Sequence, residues 1–182
     1  MDAQIDGLVF SLEVSQRYHV ARRDFLRFWI KVNQFLTLFF SASVTAYFAD
    51  YVPAWLGQGL VAFFAAVLFA ISLVSSIVDL EKKAQIHQSL GDQFRELKHR
   101  VRIAESKHQR PNDAQWVREQ VVLWGAEREA IEADEPQMFC ALHDDVRYQT
   151  ARAFGRSVKE CETPHGLKRM LRNYFPFSDP PG

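Results

Sequence analysis

The residue types that most readily carry chemistry lie together in the C-terminal half of the chain. Cys140, His143 and Asp144 are close in sequence, and on a helix this spacing brings a thiol and an imidazole onto neighbouring positions. Such a pair could act as nucleophile and base. Any helix offers neighbours of this kind, and no oxyanion-stabilising element accompanies these residues in the sequence. We therefore expect no catalytic residue here and no enzyme activity.

Metal, nucleotide and disulfide chemistry find no support in the sequence. None of the eight glycines falls into GxGxxG or Walker spacing, and Cys-x-x-Cys and His-Glu-x-x-His are absent. Glu132, Asp134 and Glu135 could bind a cation, but a solvated turn at a helix start explains these carboxylates better. The two cysteines, Cys140 and Cys161, make no disulfide framework. We expect no cofactor and no bound metal.

Charged and apolar residues occupy different parts of this 182-residue chain, although its formal net charge is zero. Between Val32 and Val78 the only charged residue is Asp50. A soluble core would spread its apolar residues over several amphipathic elements. Residues 1–27 carry many charges and no apolar stretch typical of a signal peptide. The regional charge pattern favours a membrane protein and gives no reason to expect direct nucleic-acid binding.

Two stretches in and next to this nearly uncharged region are long enough to cross a bilayer, at about residues 28–49 and 57–78. A span needs roughly 20 residues, because each residue of a helix rises about 1.5 Å and the hydrocarbon layer is about 30 Å thick. Pro53 favours a break between them, and Tyr51 and Trp55 suit the headgroup layer. The sequence therefore predicts an antiparallel transmembrane hairpin over residues 28–79. A soluble bundle with one buried hairpin is the alternative, and the uncharged run opposes it.

Basic residues flank the predicted hairpin on one side only. The residues before the first span are Arg17, Arg22, Arg23, Arg27 and Lys31, and those after the second are Lys82, Lys83, Arg95, Lys98 and Arg100. The connecting loop has neither Lys nor Arg. Because basic residues stay in the cytoplasm, both termini are predicted to be cytoplasmic.

A polar stripe runs along the first predicted span. Asn33, Thr37, Ser41 and Thr45 are four residues apart and share one slowly drifting helical face. Such a face could line a water-filled pore once several hairpins assemble. It could equally satisfy helix–helix hydrogen bonds or bond back to its own backbone. The four residues are candidate pore-lining residues, with packing inside the hairpin as the alternative.

The predicted cytoplasmic region, residues 80–156, begins with a long helical stalk. Its narrow apolar seam includes Leu80, Leu90, Phe94, Leu97 and Val101. This seam needs a partner, either a second helix of the same chain or the same helix of another copy, and its five residues are the candidate oligomer-seam residues. A helix over about 114–131 is predicted to pack antiparallel to the stalk, and a third helix to cover 137–156. Residues 1–27 are predicted to form an N-terminal cytoplasmic helix, and residues 157–182 a C-terminal tail. The predicted fold class is an all-α membrane protein with a two-helix transmembrane hairpin, a long cytoplasmic helical stalk and a helical bundle.

Several local segments, together with this layout, resemble the SLATT superfamily of bacterial two-transmembrane proteins. They are Arg17-Tyr18-His19-x-x-Arg22-Arg23 before the first span, Glu132-Ala-Asp134-Glu135-Pro136, and Leu142 with the polar helix that runs to Gly155. The resemblance covers about residues 10–156. It implies a bacterial inner-membrane protein of a conflict or anti-phage system, paired with nucleotide-generating enzymes, nucleotide sensors or retron-like modules. Members of the family are proposed to oligomerise and permeabilise the membrane.

Two functions follow from these observations. The first is an oligomerising inner-membrane effector that permeabilises the membrane, with the lipid bilayer, further copies of itself and a cytosolic sensor or nucleotide-signalling partner as its partners. The second is a non-conducting anchor or scaffold, whose helical region docks a cytosolic partner.

Overall fold

The computed structural model describes residues 3–48, 59, 62–71, 79–107, 114–135, 138–157 and 173. Every regular element in these ranges is an α-helix, which confirms the all-α prediction for this part of the chain. The elements are α1 (Ala3–Phe48), α2 (62–71), α3 (Leu80–Lys107), α4 (Ala114–Ala133) and α5 (Cys140–Ala153). The N-terminal helix and the helical part of the first predicted span are therefore one element, α1.

The chain divides into two compact units. The first unit contains Met1–Arg22 together with Ile86–Gly182, and the second contains Arg23–Gln85. One boundary between the units falls inside α1, after Arg22, and the other inside α3, after Gln85. The first unit holds most of the buried side chains, whereas the second holds the block of sequence that lacks charge.

Helices α1, α3 and α4 share the main apolar core of the first unit. Residues at helical spacing on α1 and α3 meet there, and two residues of α4 close the cluster. The buried members are Ile5, Leu8, Val9, Leu12, Leu90, Phe94, Leu97, Val101, Trp124 and Ile131. Packing of α4 against the stalk α3 is therefore confirmed. Each fully buried side chain of this size contributes about 1.5–3 kcal/mol relative to exposure.

This core covers four of the five candidate oligomer-seam residues from within the chain. Leu90, Phe94, Leu97 and Val101 are buried by the chain's own α1 and α4, so they are not open to a second copy. The N-terminal part of α1, which the sequence-based argument left without a partner, supplies the covering face. Leu80, the fifth residue of the predicted seam, lies in the other unit and is half-buried.

A polar contact at the edge of this core joins α1 to α3. Lys98 Nζ donates to Glu13 Oε2 at 2.6 Å and to Gln16 Oε1 at 2.5 Å, and Arg17 binds the other carboxylate oxygen of Glu13 at 2.6 Å. Burial raises the pKa of Glu13, but the hydrogen bonds from Lys98 and Arg17 outweigh burial and leave that pKa below its ordinary value. The contact therefore favours the charged carboxylate and fixes the register of α1 on α3.

The second unit contains the rest of α1, α2 and the first turn of α3. Phe40 of α1 packs against Phe64 of α2, with ring centroids 5.3 Å apart. Much of the remaining apolar surface of these helices is exposed; the large side chains are Phe28, Phe35, Leu38, Phe39, Phe63 and Phe69. Within the described ranges, no helix combines the length and the apolar character needed to cross a bilayer. Residues 49–58, 60–61 and 72–78 of the predicted hairpin lie outside the described part.

Candidate functional site

Three helices of the first unit bring aromatic and titratable side chains together in one buried group. Tyr18 and His19 come from α1, His87 from α3 and His143 from α5; we call these four residues the histidine cluster. The His19 ring stacks on Phe94 at a centroid distance of 5.4 Å. The Tyr18 ring contacts all three imidazoles edge-on, at 5.1 Å from His19, 6.4 Å from His87 and 6.0 Å from His143. Two adjacent residues of α1 are both buried because α3 and α5 cover neighbouring sides of that helix.

His19 and His87 form a hydrogen-bonded pair with almost no solvent access. Their Nδ1 atoms are 3.0 Å apart, and the two residues are 1% and 3% exposed. Burial, followed by the charges of His87 and His143, lowers the pKa of His19 to about 3. Burial and the positive charge of Arg22 lower the pKa of His87 to about 4. Both rings are therefore neutral near pH 7, and one Nδ1 donates to the other.

Tyr18 links α1 to the start of α5. Its hydroxyl accepts a hydrogen bond from the backbone N–H of Phe139 at 2.9 Å. Phe139 is the residue before α5, and its own side chain makes no capping hydrogen bond. Burial raises the pKa of Tyr18, and the charge of Glu135 adds to this shift, so the hydroxyl keeps its proton. Burial also raises the pKa of Glu135, against a hydrogen bond from Tyr18 that lowers it.

Arg22 adds a cation to the same place. Its guanidinium carbon lies 3.6 Å from the centroid of the Phe139 ring, and Nη1 donates to the backbone carbonyl of Asn173. Burial lowers the pKa of Arg22, while the nearby Tyr18 raises it. The structure therefore joins the three segments that carry the resemblance, because Tyr18 of the first packs against Leu142 and its hydroxyl interacts with Glu135. The sequence signalled these segments, but it did not show that they meet.

The cluster holds helices together in this conformation. A solute does not reach His19 or His87 unless the surrounding helices separate, so their partners are each other and their aromatic neighbours. Protonation of both rings would place two positive charges at a 3.0 Å contact beside Arg22, which favours separation. The arrangement therefore predicts that acid weakens the contact between α1 and α3. The periodicity of α3 places His87 on the side of the apolar seam, but no sequence signal identifies His19 as its partner.

The sequence-derived candidates of α5 are only loosely connected. His143 Nδ1 lies 3.8 Å from Asp144 Oδ1, and burial lowers the pKa of His143 despite the opposing effect of that carboxylate. Cys140 is a free, half-buried thiol, and Cys161 lies outside the described residues. In the described part of the chain, no group of three or more His, Cys, Asp or Glu residues could hold a metal ion.

The candidate pore-lining residues lie in the second unit. Thr37 is exposed, and its Oγ1 donates to the backbone carbonyl of Asn33 at 2.9 Å. One of the bonding modes considered for the stripe, a bond back to its own helix, is therefore present at Thr37. Ser41 is exposed and Asn33 half-buried, while the side chain of Thr45 lies outside the described part.

An open cleft of about 300 Å³ lies between α1 and the first turn of α3, inside the second unit. Its lining contains two cationic side chains, one carboxylate and two amides beside two apolar side chains. The lining residues are Arg27, Ile30, Lys31, Gln34, Glu81, Ala84 and Gln85. Arg27 and Lys31 belong to the basic flank from which the sequence predicts orientation.

No protein-family model, curated protein or solved structure matches this chain. The function is therefore argued from the residues and their geometry.

Proposed function

We propose that this protein is a bacterial inner-membrane effector that inserts its hairpin, residues 28–79, into the bilayer and permeabilises it as an oligomer. The observation that carries the proposal is the exposed apolar surface of the second unit. Phe35, Leu38 and Phe69 are 65%, 71% and 70% exposed, in a stretch where the sequence has almost no charge. Burial of each such side chain in lipid is worth about 1.5–3 kcal/mol. A contiguous exposed surface of this kind marks an interaction with membrane or protein.

The charges around the cleft agree with a location at the cytoplasmic headgroups. Arg27 and Lys31 line it from α1, at the end of the uncharged stretch, and Glu81 lines it from α3. Anionic lipids of the inner leaflet attract basic side chains next to a span by about 1 kcal/mol each. Both termini and the first unit would then lie in the cytoplasm.

Permeabilisation is supported by the polar stripe and by the resemblance. Thr37 and Ser41 present hydroxyl groups on the exposed surface of α1, among large apolar side chains. A hydroxyl that donates to its own backbone still has lone pairs that accept hydrogen bonds from water. Several copies that direct this stripe toward one another would enclose a wet path, and their Phe and Leu side chains would remain in lipid.

Dye release from proteoliposomes tests this function. The purified full-length chain is reconstituted at increasing copy number per vesicle, and release of carboxyfluorescein is recorded. We expect release to rise steeply with copy number, because each pore needs several copies. The double substitution Thr37→Leu with Ser41→Leu should abolish release while leaving insertion unchanged.

The matched control is Phe35→Leu with Phe39→Leu, two substitutions at the same spacing on a different face of α1. These residues would face lipid, so release should stay near the unsubstituted level. Vesicles that contain inserted protein and retain their dye at every copy number would contradict permeabilisation. Equal release by both double variants would contradict the role of the stripe.

A second function, the non-conducting anchor, is favoured by the burial of the stalk seam. Because Leu90, Phe94, Leu97 and Val101 are covered within the chain, the first unit is already packed as a monomer. A unit of this kind can dock a cytosolic sensor or nucleotide-signalling partner without assembling. Complete dye retention together with full insertion would favour the anchor over the effector.

A further inference from the structure

The cleft of the second unit is lined by two stripes of residues, one from α1 and one from α3. Within each stripe the residues are three or four positions apart, so they share one helical face. The α1 stripe is Arg27, Ile30, Lys31 and Gln34, and the α3 stripe is Glu81, Ala84 and Gln85. The five polar residues are exposed, whereas Ala84 is buried and Ile30 is half-buried. The polar groups of the cleft are therefore accessible to a ligand.

The cleft lies where the charged and the nearly uncharged parts of the second unit meet. Lys31 directly precedes the nearly uncharged stretch, residues 32–78, and Glu81 follows its end by three positions. Phe28 and Phe35 each come one position after a lining residue of α1, and they are 58% and 65% exposed. Exposed aromatic surface thus adjoins the cationic side chains. A molecule with a charged group and an apolar chain can contact both.

The charged lining residues define the kind of headgroup that fits. Arg27 and Lys31 can donate to the oxygens of a phosphodiester, and such charge-assisted hydrogen bonds are roughly twice as strong as neutral ones. The Glu81 carboxylate is an acceptor, so it repels a bare phosphate but accepts from a hydroxyl attached to one. Two cations and one carboxylate leave a single positive charge. A phosphodiester with one negative charge balances it.

We propose that the cleft binds the phosphoglycerol headgroup of one anionic lipid, with the phosphodiester at Arg27 and Lys31 and a glycerol hydroxyl donating to Glu81. The inference rests on the proposed function, because insertion of the hairpin brings the cleft to the headgroup layer, and it names the lipid that the inserted protein selects. The amides of Gln34 and Gln85 can hydrogen-bond the second hydroxyl. A volume of about 300 Å³ is at the lower end for small-molecule sites, so it accommodates a headgroup and leaves the acyl chains outside.

Other phosphate-bearing molecules match the cleft less well. A free phosphate would meet the carboxylate as well as the cations, and it has no chain to place on the aromatic surface. An ethanolamine headgroup could donate to Glu81, but its own positive charge would leave the charge of the cleft unbalanced. Basic pockets between spans on the cytoplasmic side of a membrane suit anionic headgroups. The charges and the aromatic surface together therefore favour an anionic lipid with hydroxyl donors.

Titration of short-chain lipids into the full-length chain, held in an uncharged detergent, tests the site by native mass spectrometry. Dioctanoyl-phosphatidylglycerol is compared with dioctanoyl-phosphatidylmethanol, which carries the same charge and no hydroxyl. We expect one phosphatidylglycerol per chain, bound about tenfold more tightly than phosphatidylmethanol, because only its headgroup has a donor for Glu81. Free glycerophosphoglycerol should bind about a hundredfold more weakly than the lipid, because it lacks acyl chains.

Substitutions assign the binding to the cleft. Lys31→Gln and, separately, Arg27→Gln should each weaken phosphatidylglycerol binding about tenfold. Glu81→Ala should remove the preference over phosphatidylmethanol, although it makes the protein more positive. The matched control is Lys82→Gln with Lys83→Gln, which removes two cations from exposed positions of the same flank that do not line the cleft. Its affinity should stay within about twofold of the unsubstituted chain. Circular dichroism checks that each variant keeps its helical content.

Three results would overturn the inference: equal affinity for phosphatidylglycerol and phosphatidylmethanol, an equal loss in Lys31→Gln and in the control, or free glycerophosphoglycerol that binds as tightly as the lipid. The first two would indicate a general attraction of basic residues to anionic lipid, and the third a soluble ligand. Carbonate extraction and dye release separate this failure from failure of the proposed function. Insertion and release without headgroup selectivity would retain the effector and remove the site, whereas selective binding in detergent without dye release would retain the site and remove the pore.

Discussion

At the residue scale, the buried imidazole pair is the least expected feature of the molecule. His19 and His87 come from positions 68 residues apart and meet at 3.0 Å with 1% and 3% exposure. The Nδ1 atoms of two neutral imidazoles can satisfy one another, because a neutral ring carries one donor nitrogen and one acceptor nitrogen. The Tyr18 hydroxyl likewise accepts a hydrogen bond from the backbone N–H of Phe139, which is 121 residues away in the sequence. These contacts make the junction of α1 with α3 and α5 specific as well as apolar.

The histidine pair predicts acid lability of the first unit. The pKa values of about 3 and about 4 lie below the ordinary value of 6.5, so the unfolded chain binds more protons than the folded chain between these limits. Stability is therefore full above about pH 6.5 and falls as the pH drops toward about 4, by up to about 1.4 kcal/mol per pH unit for each group. Urea unfolding of the detergent-solubilised chain at pH 7, 6 and 5, followed by circular dichroism, measures this slope.

Substitutions test whether the histidine pair causes this acid lability, as opposed to the neighbouring Tyr18, Arg22 and His143. His87→Leu alone should cost about 1–3 kcal/mol at pH 7, because it leaves a buried ring nitrogen of His19 without its partner. Adding His19→Leu should recover part of that loss and flatten the pH dependence. His99→Gln, at an exposed position on α3, should keep the original slope. An unchanged slope in the double variant would show that other groups cause the lability.

At the element scale, α3 is the helix on which the first unit is built. Its apolar side chains recur every three or four residues, and α1 and α4 cover them from two sides. The same periodicity would suit a coiled coil between copies, because a seam needs only an apolar partner. The N-terminal part of α1 supplies that partner inside the chain, and the contact from Lys98 to Glu13 and Gln16 sets its register.

Truncation of Phe94 tests whether the apolar seam of α3 packs only inside the chain or also between copies. Phe94 is fully buried, so Phe94→Ala should destabilise the first unit by about 3–5 kcal/mol at any protein concentration. Ile103→Ala on the same helix, at a position 39% exposed, should cost less than about 1 kcal/mol. Urea titration at two protein concentrations measures both. A concentration-dependent loss for Phe94→Ala would indicate that the residue also contacts another copy.

At the scale of the whole molecule, the two units differ in what covers their apolar residues. The first unit buries them within itself, whereas the second leaves large side chains such as Phe35 and Phe69 exposed. Water is a poor environment for such a surface, and lipid is a good one. The basic side chains, which flank both ends of the uncharged block and so lie on one side of the predicted hairpin, would then orient the molecule.

Thiol labelling tests this topology in a chain that carries Cys140→Ser and Cys161→Ser. Lys107→Cys, at an exposed position at the end of α3, should react with a membrane-impermeant maleimide only in inverted vesicles. Ala54→Cys, in the predicted loop between the spans, should react only in right-side-out vesicles. The chain should also remain in the pellet after carbonate extraction. Release into the supernatant, or labelling of both cysteines from one side, would contradict the hairpin.

The sequence alone determined which segments are helical and which faces are apolar. The recurrence of apolar residues every three or four positions identified the seam of α3, four residues of which are buried. It also located the uncharged block and its basic flank. These properties are readable because side-chain pattern and charge are local.

Only the tertiary structure decided which surfaces cover one another. A periodic seam does not state whether its partner is α1 of the same chain or a second copy, because both bury the same apolar area. Nor does it reveal that His19 meets His87, or that Tyr18 meets Phe139, since these pairings depend on how distant helices pack. The structure showed that the stalk seam belongs to the chain's own core. It also showed that α4 buries Trp124 and Ile131 in that core, so the opposite face of α4 is exposed.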